Sequence, residues 1–303
     1  MVSIIVGTYN GEKYLTAQLN SVASQTYKDL EIIICDDCST DSTQHMIKEF
    51  AGKHSHVSYY FNEDNLGINK NFEQGFLKAK GDFIAIADQD DIWKPEKIEE
   101  QMRLFTGENI LVVHSASALF NGDQLPVHKT AAKGSLQMTG NDSKRLLLRN
   151  SIAGHNVIFR KELLKHILPL PADIFYDWWL CEVATCHGEI ASTNKILAYQ
   201  RQHDNNVTVY KRTTRKQNLR EYTERKNALE AFLNIKALKN EDKIFIRNLL
   251  LKFKTLETKK FSLPLFFFLM KNASLLFFYK TKAFPFFSYI KTAYRMSFKK
   301  NKQ

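Results

Sequence analysis

The sequence contains few cysteines, and their positions argue against a fold built on disulfides. Four cysteines occur in 303 residues, two of them within or beside predicted core segments, which is too few for a disulfide framework. Cys35 and Cys38 have the C-x-x-C spacing of redox and zinc sites, but Cys35 belongs to a predicted strand. The next pair, Cys181 and Cys186, lies on a predicted helix. A secreted disulfide scaffold, a redox site and a zinc site are therefore all disfavoured.

Long apolar runs are also missing. The chain starts in a strand-like segment at residues 2–6, without a basic segment followed by a long apolar one, so no secretory signal is predicted. We therefore expect the catalytic region in the cytoplasm. The aromatic blocks at 265–270 and 275–279 are each too short to cross a hydrocarbon core of about 30 Å at about 1.5 Å per helical residue.

Acidic residues are outnumbered by basic ones. The chain has 32 Asp and Glu against 43 Lys and Arg, which gives a net charge of +11 and a pI near 9.3. This balance indicates an anionic partner, which could be nucleic acid, an anionic membrane face or a phosphorylated substrate. Charge alone does not choose among the three.

The chain does contain a regular alternation of strands and helices. Its length accommodates one large α/β domain with an appendage. Strands are predicted at 2–6, 31–35, 57–61 and 84–87, and helices at 12–24, from a cap at Ser39 or Thr40 to about 50, and at 70–80. This order predicts a doubly wound, mostly parallel sheet with right-handed crossovers.

The fourth predicted strand ends in carboxylates. Residues 84–87 are apolar without alternation, as in a strand covered on both faces, and Asp88, Asp90 and Asp91 follow where that strand should stop. Open α/β sheets bind ligands at this edge. Two acids separated by one residue can present oxygens to Mg²⁺ or Mn²⁺, which also neutralises a diphosphate, so a nucleotide-sugar fits the arrangement. The alternative is an acidic turn capping a helix that Pro95 starts.

The second half of the chain changes rhythm. Strands are predicted at 110–118, 155–159 and 196–201, and helices at 161–166 and 175–187, with a polar stretch reaching to about 143. From about 214 the sequence is helical and basic, and later rich in phenylalanine. We divide the chain into a domain at 1–212, with a donor-binding half at about 1–105 and an acceptor half at about 106–212, and a helical extension at 213–303.

Four motifs in order resemble one known family. They are Val-Gly-Thr-Tyr-Asn at the first strand end, Asp-Asp-Cys-Ser-Thr-Asp at the second, residues 65–71 before the third helix, and Asp-Gln-Asp-Asp at 88–91. Over about residues 1–210 the sequence resembles inverting family-2 glycosyltransferases of the GT-A fold. Tyr-Asp-Trp-Trp at 176–179 and residues 199–206 most resemble bacterial rhamnosyltransferases that build surface polysaccharides, which is a weaker match.

The resemblance implies a donor site at the strand ends. Asp37 or its neighbour Asp36 would accept the imide N–H of uracil or thymine, with helix capping as the alternative role. Tyr9 would stack on the base, although a tyrosine beside a strand is also a common core residue. Lys70 would contact the diphosphate. The other donor-binding candidates are Thr8, Asn10, Asn65 and Asp88. Family members usually carry glycine where Cys38 stands, so we expect a small change in that turn.

The resemblance also implies a metal site and a catalytic base. The candidate metal ligands are Asp88, Asp90 and His203, for Mg²⁺ or Mn²⁺, and His203 is alternatively a diphosphate contact or a structural histidine. Asp177 is the predicted base, since an inverting transfer needs one carboxylate to take the acceptor's proton. The family usually has a Glu-Asp pair there, and Tyr176 replaces the Glu. Glu182 and Asp173 are the next candidates, and the alternative for Asp177 is a helix N-terminal acid that favours the macrodipole.

The acceptor side is predicted from aromatic residues. Trp178 and Trp179 can form a platform for a sugar, with one of the pair expected to be core, and His155 is expected near the site. The basic, aromatic tail is predicted to lie on an anionic membrane face, which would make the protein peripheral on the inner face of the cell membrane. The alternative is packing of its helices on the catalytic domain or on a second subunit, as in a homodimer.

Three functions follow as hypotheses. The first is a metal-dependent inverting transferase that moves L-rhamnose from dTDP-rhamnose, or a hexose or N-acetylhexosamine from a UDP-sugar, to a lipid-linked glycan in cell-surface polysaccharide synthesis. The second is a sugar nucleotidyltransferase, disfavoured because the loop at 7–11 lacks the basic residues that a triphosphate needs. The third is a nucleic-acid or membrane adaptor, which leaves the ordered acidic strand ends unexplained. Nucleic acid is not an expected partner.

Overall fold

Parallel strands form the first half of the sheet, as the alternating pattern predicts. The computed structural model describes residues 1–122, 125, 137–203, 215–280 and 284–298, with the side chains of 215–219 left out. The strands are β1 Val2–Thr8, β2 Leu30–Asp36, β3 Val57–Phe61 and β4 Phe83–Asp88, in the spatial order β3-β2-β1-β4. The helices that connect them are α1 Leu15–Ala23, α2 Thr43–Lys53 and α3 Ile68–Lys78.

The central strands are apolar throughout because both of their faces are covered. Ile4, Ile5, Ile33 and Ile86 are all buried, and they divide between two apolar cores, one on each side of the sheet. The parallel register pairs Gly7 with Cys35 and with Asp88. The polar residues that follow the three strands therefore emerge together at one edge of the sheet.

The second half of the sheet is mixed, which corrects the mostly parallel prediction for this part. Its strands are β5 Ile92–Trp93, β6 Ile110–Asn121, β7 Val157–Arg160 and β8 Glu189–Gln202, and the order continues β4-β7-β6-β8-β5. β7 is antiparallel to β4 and β6, and β5 is antiparallel to β8, while β6 and β8 are parallel. Antiparallel pairs need no crossover helix, so the βα alternation that predicted the first half gives no signal here.

Two predicted helix starts are wrong. α2 begins at Thr43, and the Ser39 hydroxyl donates to the Asp36 carboxylate instead of capping the helix. α4 Lys97–Met102 begins after Pro95, and its N-cap residue makes no side-chain capping hydrogen bond. The acids at 88–91 therefore do not serve as a helix cap, which removes the structural alternative to a ligand site.

The remaining elements agree with the predicted pattern, with small shifts of boundary. They are α5 Leu164–Ile167 and α6 Tyr176–His187 in the sheet domain, then α7 Arg215–Phe232, α8 Asn240–Thr258, α9 Leu263–Lys271, α10 Ala273–Leu276 and α11 Pro285–Met296. The predicted strand at 155–159 begins instead with a 3-10 turn, Gly154–Asn156, before β7. The predicted domain boundary between 212 and 213 lies outside the described residues.

The C-terminal helices pack against the sheet domain. Trp178 of α6 meets Phe232 of α7 edge-to-face, with ring centroids 5.8 Å apart. Leu249, Leu265 and Phe277 belong to the same buried apolar core. Of the two interpretations of the tail, packing of its helices on the catalytic domain is therefore observed within one chain. Across the described ranges, every helix is too short or too polar to cross a bilayer.

Candidate active site

The strand ends of the first half open into one large cleft. Its volume is about 1840 Å³, and its lining includes the loops after β1, β2 and β4. The N-terminus of α6, the segment at 148–155 and parts of α7 and α11 complete the wall. Of the predicted site residues, the cleft brings together Thr8, Tyr9, Asn10, Asp37, Asn65, Asp88, Asp90, His155, Asp177, Trp178 and His203.

Asp36 and Asp37 are neighbours in sequence but have different surroundings. Asp36 is fully buried and accepts hydrogen bonds from Thr8 Oγ1 at 2.8 Å, Ser39 N at 2.9 Å and Gln44 Nε2 at 2.9 Å. It does not line the cleft. Asp36 therefore fixes the loop, because its acceptor sites are occupied by the protein itself.

Asp37 faces the cleft and keeps acceptor capacity. Its carboxylate accepts from Leu66 N and Gly67 N, both at 2.8 Å, and from Asn62 Nδ2 at 3.0 Å. A carboxylate offers about four lone-pair sites, so one remains for a ligand N–H. Asn65 donates to the Asp37 carbonyl oxygen at 3.2 Å and closes the turn on the same side.

The loop after β1 is held from two sides. Tyr9 N donates to Gln89 Oε1 at 2.8 Å, and Gln89 Nε2 returns a bond to Tyr9 O at 3.0 Å, which joins this loop to the acidic one. Asn10 N donates to Ser39 Oγ at 2.8 Å. The Tyr9 ring itself is 47% exposed in the cleft, so a planar base can stack on it. Gln89 was not among the predicted site residues, although it lies inside the acidic motif.

Cys38 follows Asp37 in a left-handed conformation, with φ at +64°. This region is favourable for glycine and unfavourable for other residues, so the cysteine occupies a backbone conformation that a glycine would adopt at lower cost. All four cysteines are free thiols, and burial raises the pKa of Cys35 to about 12. Such a thiol is inert at neutral pH, in line with the prediction against a redox or zinc site.

Two acids of the fourth strand end meet His155. His155 Nδ1 lies 3.6 Å from Asp88 Oδ2 and 3.4 Å from Asp91 Oδ2. Burial raises the pKa of Asp91 to about 8 despite the opposing charge of His155, and the carboxylates of Asp88 and Asp90 raise it further. Within the described ranges, these three ligand-type residues form a group compact enough to hold a metal ion. The structure thus places His155 against the acids, which the acceptor-side expectation did not include.

Asp90 pairs with the histidine that follows the last strand. Its Oδ2 lies 2.8 Å from His203 Nε2, although 113 residues separate the two in sequence. Burial raises the pKa of Asp90, and the negative charge of Asp88 adds to this effect. His203 also packs on Tyr14, with ring centroids 4.9 Å apart. The predicted metal residues Asp88, Asp90 and His203 therefore line the same part of the cleft.

Arg201 supports this acidic loop from behind. Its backbone N–H donates to Asp91 Oδ1 at 3.1 Å, and its Nε donates to the Asp90 carbonyl oxygen at 3.1 Å. The guanidinium lies over the Tyr14 ring, 4.5 Å from the centroid. Arg201 stands two residues before His203 in the polar strand end, and that position was the only sequence signal for it.

Asp177 lies in the first turn of α6 and faces the cleft. Its Oδ1 accepts from Trp178 N at 2.8 Å and its Oδ2 from Gly154 N at 3.1 Å. Burial raises the pKa of Asp177 to about 6, although both backbone hydrogen bonds lower it, and the charge of Asp88 raises it further. A carboxylate with this pKa is ionised at neutral pH and is a stronger base than an ordinary aspartate.

Neither Tyr176 nor Glu182 places a second acid beside Asp177 in the cleft. Tyr176 is buried and packs on Phe72, with ring centroids 4.5 Å apart. Glu182 is fully buried, neither of its carboxylate oxygens has a partner among the described residues, and burial raises its pKa well above the usual range. It lies outside the cleft lining, so Glu182 is not positioned to take a proton from a substrate.

The remaining predicted site residues divide into one that lines the cleft and two that do not. Trp178 is buried but lines the cleft, and its Nε1 donates to Leu146 O at 2.8 Å. Trp179 is buried, donates to Ile167 O at 2.9 Å and does not line the cleft. Lys70 also lies outside the lining and pairs with Glu73 at 2.7 Å. Trp178 is thus the member of the tryptophan pair that lines the cleft.

Comparison with known proteins agrees with this geometry. A family model described as glycosyl transferase family 2 matches residues 3–168. The Escherichia coli protein WfgD, named UDP-Glc:alpha-D-GlcNAc-diphosphoundecaprenol beta-1,3-glucosyltransferase, is 34% identical over 125 residues, 41% of this chain and 49% of WfgD. The aligned parts span about half to two thirds of the length of the curated relatives that the chain matches.

Solved structures share the fold at low sequence identity. TarS of S. aureus in complex with UDP-GlcNAc has a TM-score of 0.63 at 20% identity, over 97% of this chain and 89% of that one. The mannosyltransferase PcManGT of Pyrobaculum calidifontis, in complex with GDP-Man and Mn²⁺, has a TM-score of 0.60 at 16% identity, over 97% and 84%. The chain therefore has the same fold as these two proteins.

Proposed function

The chain belongs to glycosyl transferase family 2, and from this premise we propose that it transfers a sugar, with inversion, from a pyrimidine nucleoside diphosphate to a lipid-linked glycan in polysaccharide synthesis. One observation carries the proposal. A single cleft holds the acids at the end of β4, His203 and, on the separate helix α6, the ionised Asp177. The relative WfgD is named for a UDP-sugar donor and a diphospholipid acceptor, which supports this substrate class.

The donor half is proposed to hold the nucleotide. The remaining acceptor site on Asp37 accepts the imide N–H that uracil and thymine share, and Tyr9 stacks on the base. Because both bases offer the same N–H, Asp37 does not separate dTDP-rhamnose from UDP-sugars. The choice between L-rhamnose and a UDP-hexose belongs to contacts with the sugar.

A divalent cation fits the acidic end of the cleft. Asp91 Oδ2 and His155 Nε2 are buried and have no hydrogen-bond partner among the described residues, and three carboxylates crowd one loop. Carboxylate oxygens and an imidazole nitrogen suit Mn²⁺ or Mg²⁺. Asp88 belongs both to the compact group with Asp91 and His155 and to the predicted set with Asp90 and His203, and these five residues would hold the ion. When bound, it would neutralise charge on the leaving diphosphate.

Asp177 is proposed to act as the general base. It takes the proton of the acceptor hydroxyl as that oxygen forms a bond to the anomeric carbon. The bond from the anomeric carbon to the diphosphate oxygen breaks on the opposite face, and its electron pair leaves with the nucleoside diphosphate. Gly154 N and Trp178 N hold the carboxylate in place for the attack.

Donor turnover tests this function directly. Purified protein with Mn²⁺ is incubated with dTDP-rhamnose, UDP-glucose, UDP-N-acetylglucosamine and GDP-mannose, and the released nucleoside diphosphate is measured with and without a GlcNAc-diphospholipid acceptor. We expect turnover with one dTDP- or UDP-sugar and little with GDP-mannose. Synthesis of a nucleotide-sugar from a sugar phosphate and a nucleoside triphosphate would instead identify a nucleotidyltransferase.

The pH dependence of the transfer rate should follow the ionisation of Asp177. Its pKa is raised to about 6, and only the ionised form accepts a proton. The rate at saturating donor and cation should therefore fall tenfold per pH unit below about 6 and be level above it. Donor binding measured over the same range controls for protonation of the metal-site acids. A rate that stays level down to pH 5 would show that another group is the base.

Contact with a membrane is proposed for the outer face of the extension. Phe284, Phe286 and Phe287, at the start of α11, and Phe267 of α9 are exposed, and Lys291 lies among them on the surface of α11. Aromatic and basic residues on one surface match an anionic leaflet, in keeping with the net charge of +11. The protein is then peripheral on the cytoplasmic membrane face, where a lipid-linked acceptor is found.

Substitution of exposed phenylalanines tests the membrane contact. Phe286→Ser with Phe287→Ser should lower co-sedimentation with phosphatidylglycerol vesicles by about tenfold or more, because two apolar side chains are lost from the interface. Leu251→Ser is the control, since Leu251 is equally exposed but lies on α8. Truncation is a poorer test, because Leu265 and Phe277 belong to the shared core. Equal sedimentation of all three proteins would contradict the proposal.

A further inference from the structure

The cleft has a second wall with the opposite charge. Beyond Asp177, it is lined by the segment at 148–155 and by the C-terminal extension. This basic wall carries five cationic side chains and two acidic ones, Glu221 and Glu224. Five positive and two negative charges leave a net of +3, whereas the donor end carries Asp37, Asp88, Asp90 and Asp91. The cationic residues are Arg149, Arg220, Arg225, Lys280 and Arg295.

Part of the basic wall is structural. Arg220 Nε pairs with Glu224 at 2.7 Å, and Arg225 pairs with Glu221 at 3.0 Å. Arg225 Nε also donates to the Leu148 carbonyl oxygen at 2.9 Å, which fastens α7 to the loop ahead of Asp177. These two arginines are thus neutralised by neighbours on their own helix, and the excess charge lies elsewhere.

The excess charge lies around Tyr279. The Arg149 guanidinium lies 5.0 Å from the centroid of the Tyr279 ring. Lys280 Nζ lies 5.6 Å from the same centroid. Arg295 of α11 is close enough for its charge to act on Tyr279, and its side chain is exposed in the cleft. Three separate elements therefore bring cations to one aromatic residue, and the two arginines at issue, Arg149 and Arg295, both line the cleft.

We propose that this wall, through Arg149 and Arg295, binds a phosphate or diphosphate group carried by the acceptor. Guanidinium groups bind phosphate oxygens in pairs and are weakly hydrated, which suits such a subsite. The donor diphosphate belongs to the acidic end with its cation, so a second anion is needed to match the wall. The inference rests on the proposed function, since it takes the occupant to be the acceptor of that transfer.

The position of the wall favours a substrate over a membrane surface. Arg295 and Thr292 of α11 line the cleft, whereas Phe286 and Phe287 of the same helix lie on the exposed face outside it. One helix thus separates a surface suited to lipid from a pocket suited to phosphate. A phosphate on a lipid carrier and a phosphate within a polyol phosphate chain offer the same chemistry to the arginines.

Binding of two phosphorylated probes tests the subsite without any transfer reaction. Farnesyl diphosphate stands for a lipid diphosphate and a short poly(glycerol phosphate) for a phosphate chain, with farnesol as the uncharged control. Affinity is measured by calorimetry on the full chain in EDTA, so that a cation at the acidic end contributes nothing. Arg149→Gln and Arg295→Gln should each weaken binding of a phosphorylated probe by about tenfold. Arg247→Gln, an exposed arginine of α8 outside both the cleft lining and the proposed membrane surface, should leave it unchanged.

The outcomes separate the subsite from the proposed function. Preference for farnesyl diphosphate or for poly(glycerol phosphate) supports the subsite and names the source of the phosphate. Lack of binding to both probes, or equal loss in Arg247→Gln, overturns it. Arg295→Lys, which keeps the charge, should regain part of the affinity if the arginine variants remain folded. Failure of the transferase proposal would show instead as wild-type protein that turns over none of the nucleotide-sugars while the probes still bind.

Discussion

Asp177→Asn is expected to lower the rate of sugar transfer by about 10² to 10⁴-fold, the usual contribution of a general base. Asparagine keeps the size and the position in the first turn of α6 but cannot accept the acceptor's proton. Donor affinity should change little, because Asp177 lies outside the strand-end loops that hold the nucleotide. Loss of rate with binding preserved is the kinetic signature of a group that acts only in the transition state.

The experiment compares kcat on a synthetic acceptor with donor binding by calorimetry. Glu182→Gln is the matched control, since it removes a carboxyl from the same helix at a buried position outside the cleft lining. It should transfer at the wild-type rate, because Glu182 is fully buried outside the cleft lining and does not reach the acceptor hydroxyl. Near wild-type transfer by Asp177→Asn would place the base elsewhere, and the exposed Asp173 would be the next candidate.

Removal of the cation, or of its carboxylate Asp90, is expected to abolish transfer. EDTA should reduce turnover to background, and Mn²⁺ or Mg²⁺ should restore it in the wild type but not in Asp90→Asn. Unlike the change at Asp177, this substitution should weaken donor binding as well, because the cation holds the diphosphate. Asp82→Asn, at the opposite end of the same strand and highly exposed, is the control and should keep both properties. Full activity in chelator would remove the metal from the mechanism.

The Asp90→Asn substitution should not lower thermal stability, although it should abolish transfer. The pKa of Asp90 is raised by burial, so the folded state favours its protonated form more than the unfolded state does. The contribution of protonated Asp90 to folding stability is complete below its pKa in the unfolded state. It is lost as the pH rises through its pKa in the folded state. At neutral pH and without cation, Asp90→Asn should therefore melt at the wild-type temperature or above it. A lower Tm would mean that the contact with His203 outweighs the cost of burying the charge.

Local sequence patterns were sufficient for the elements of the first half and for the position of the site. Unbroken apolar runs mark strands covered on both faces, and the abrupt acids after them mark the edge where ligands bind. These signals are local, because a buried parallel strand is apolar at every position. The family resemblance added His203 and Asp177, which no local pattern connects with the acids.

Tertiary structure decided which side chains face the cleft. Asp36 and Asp37 are adjacent, yet one is used up inside the loop and the other keeps an acceptor site, because successive residues point in different directions. Trp178 and Trp179 are also adjacent, and of the two Trp178 lines the cleft while Trp179 does not. Asp91 meets His155 only because β7 enters the sheet beside β4, an antiparallel pairing that strand and helix alternation does not encode.

The C-terminal extension shows the same division most clearly. Its composition predicted basic, aromatic helices, and both interpretations of them, membrane contact and packing, were open. Composition is a sum over the chain, whereas the direction of each side chain depends on which face of a helix the core covers. The fold buries Leu265 and Phe277, leaves Phe286 outside and turns Arg295 toward the cleft. The sequence therefore determined the charges of this segment, and only tertiary packing decided that some of them lie beside the acceptor half of the site.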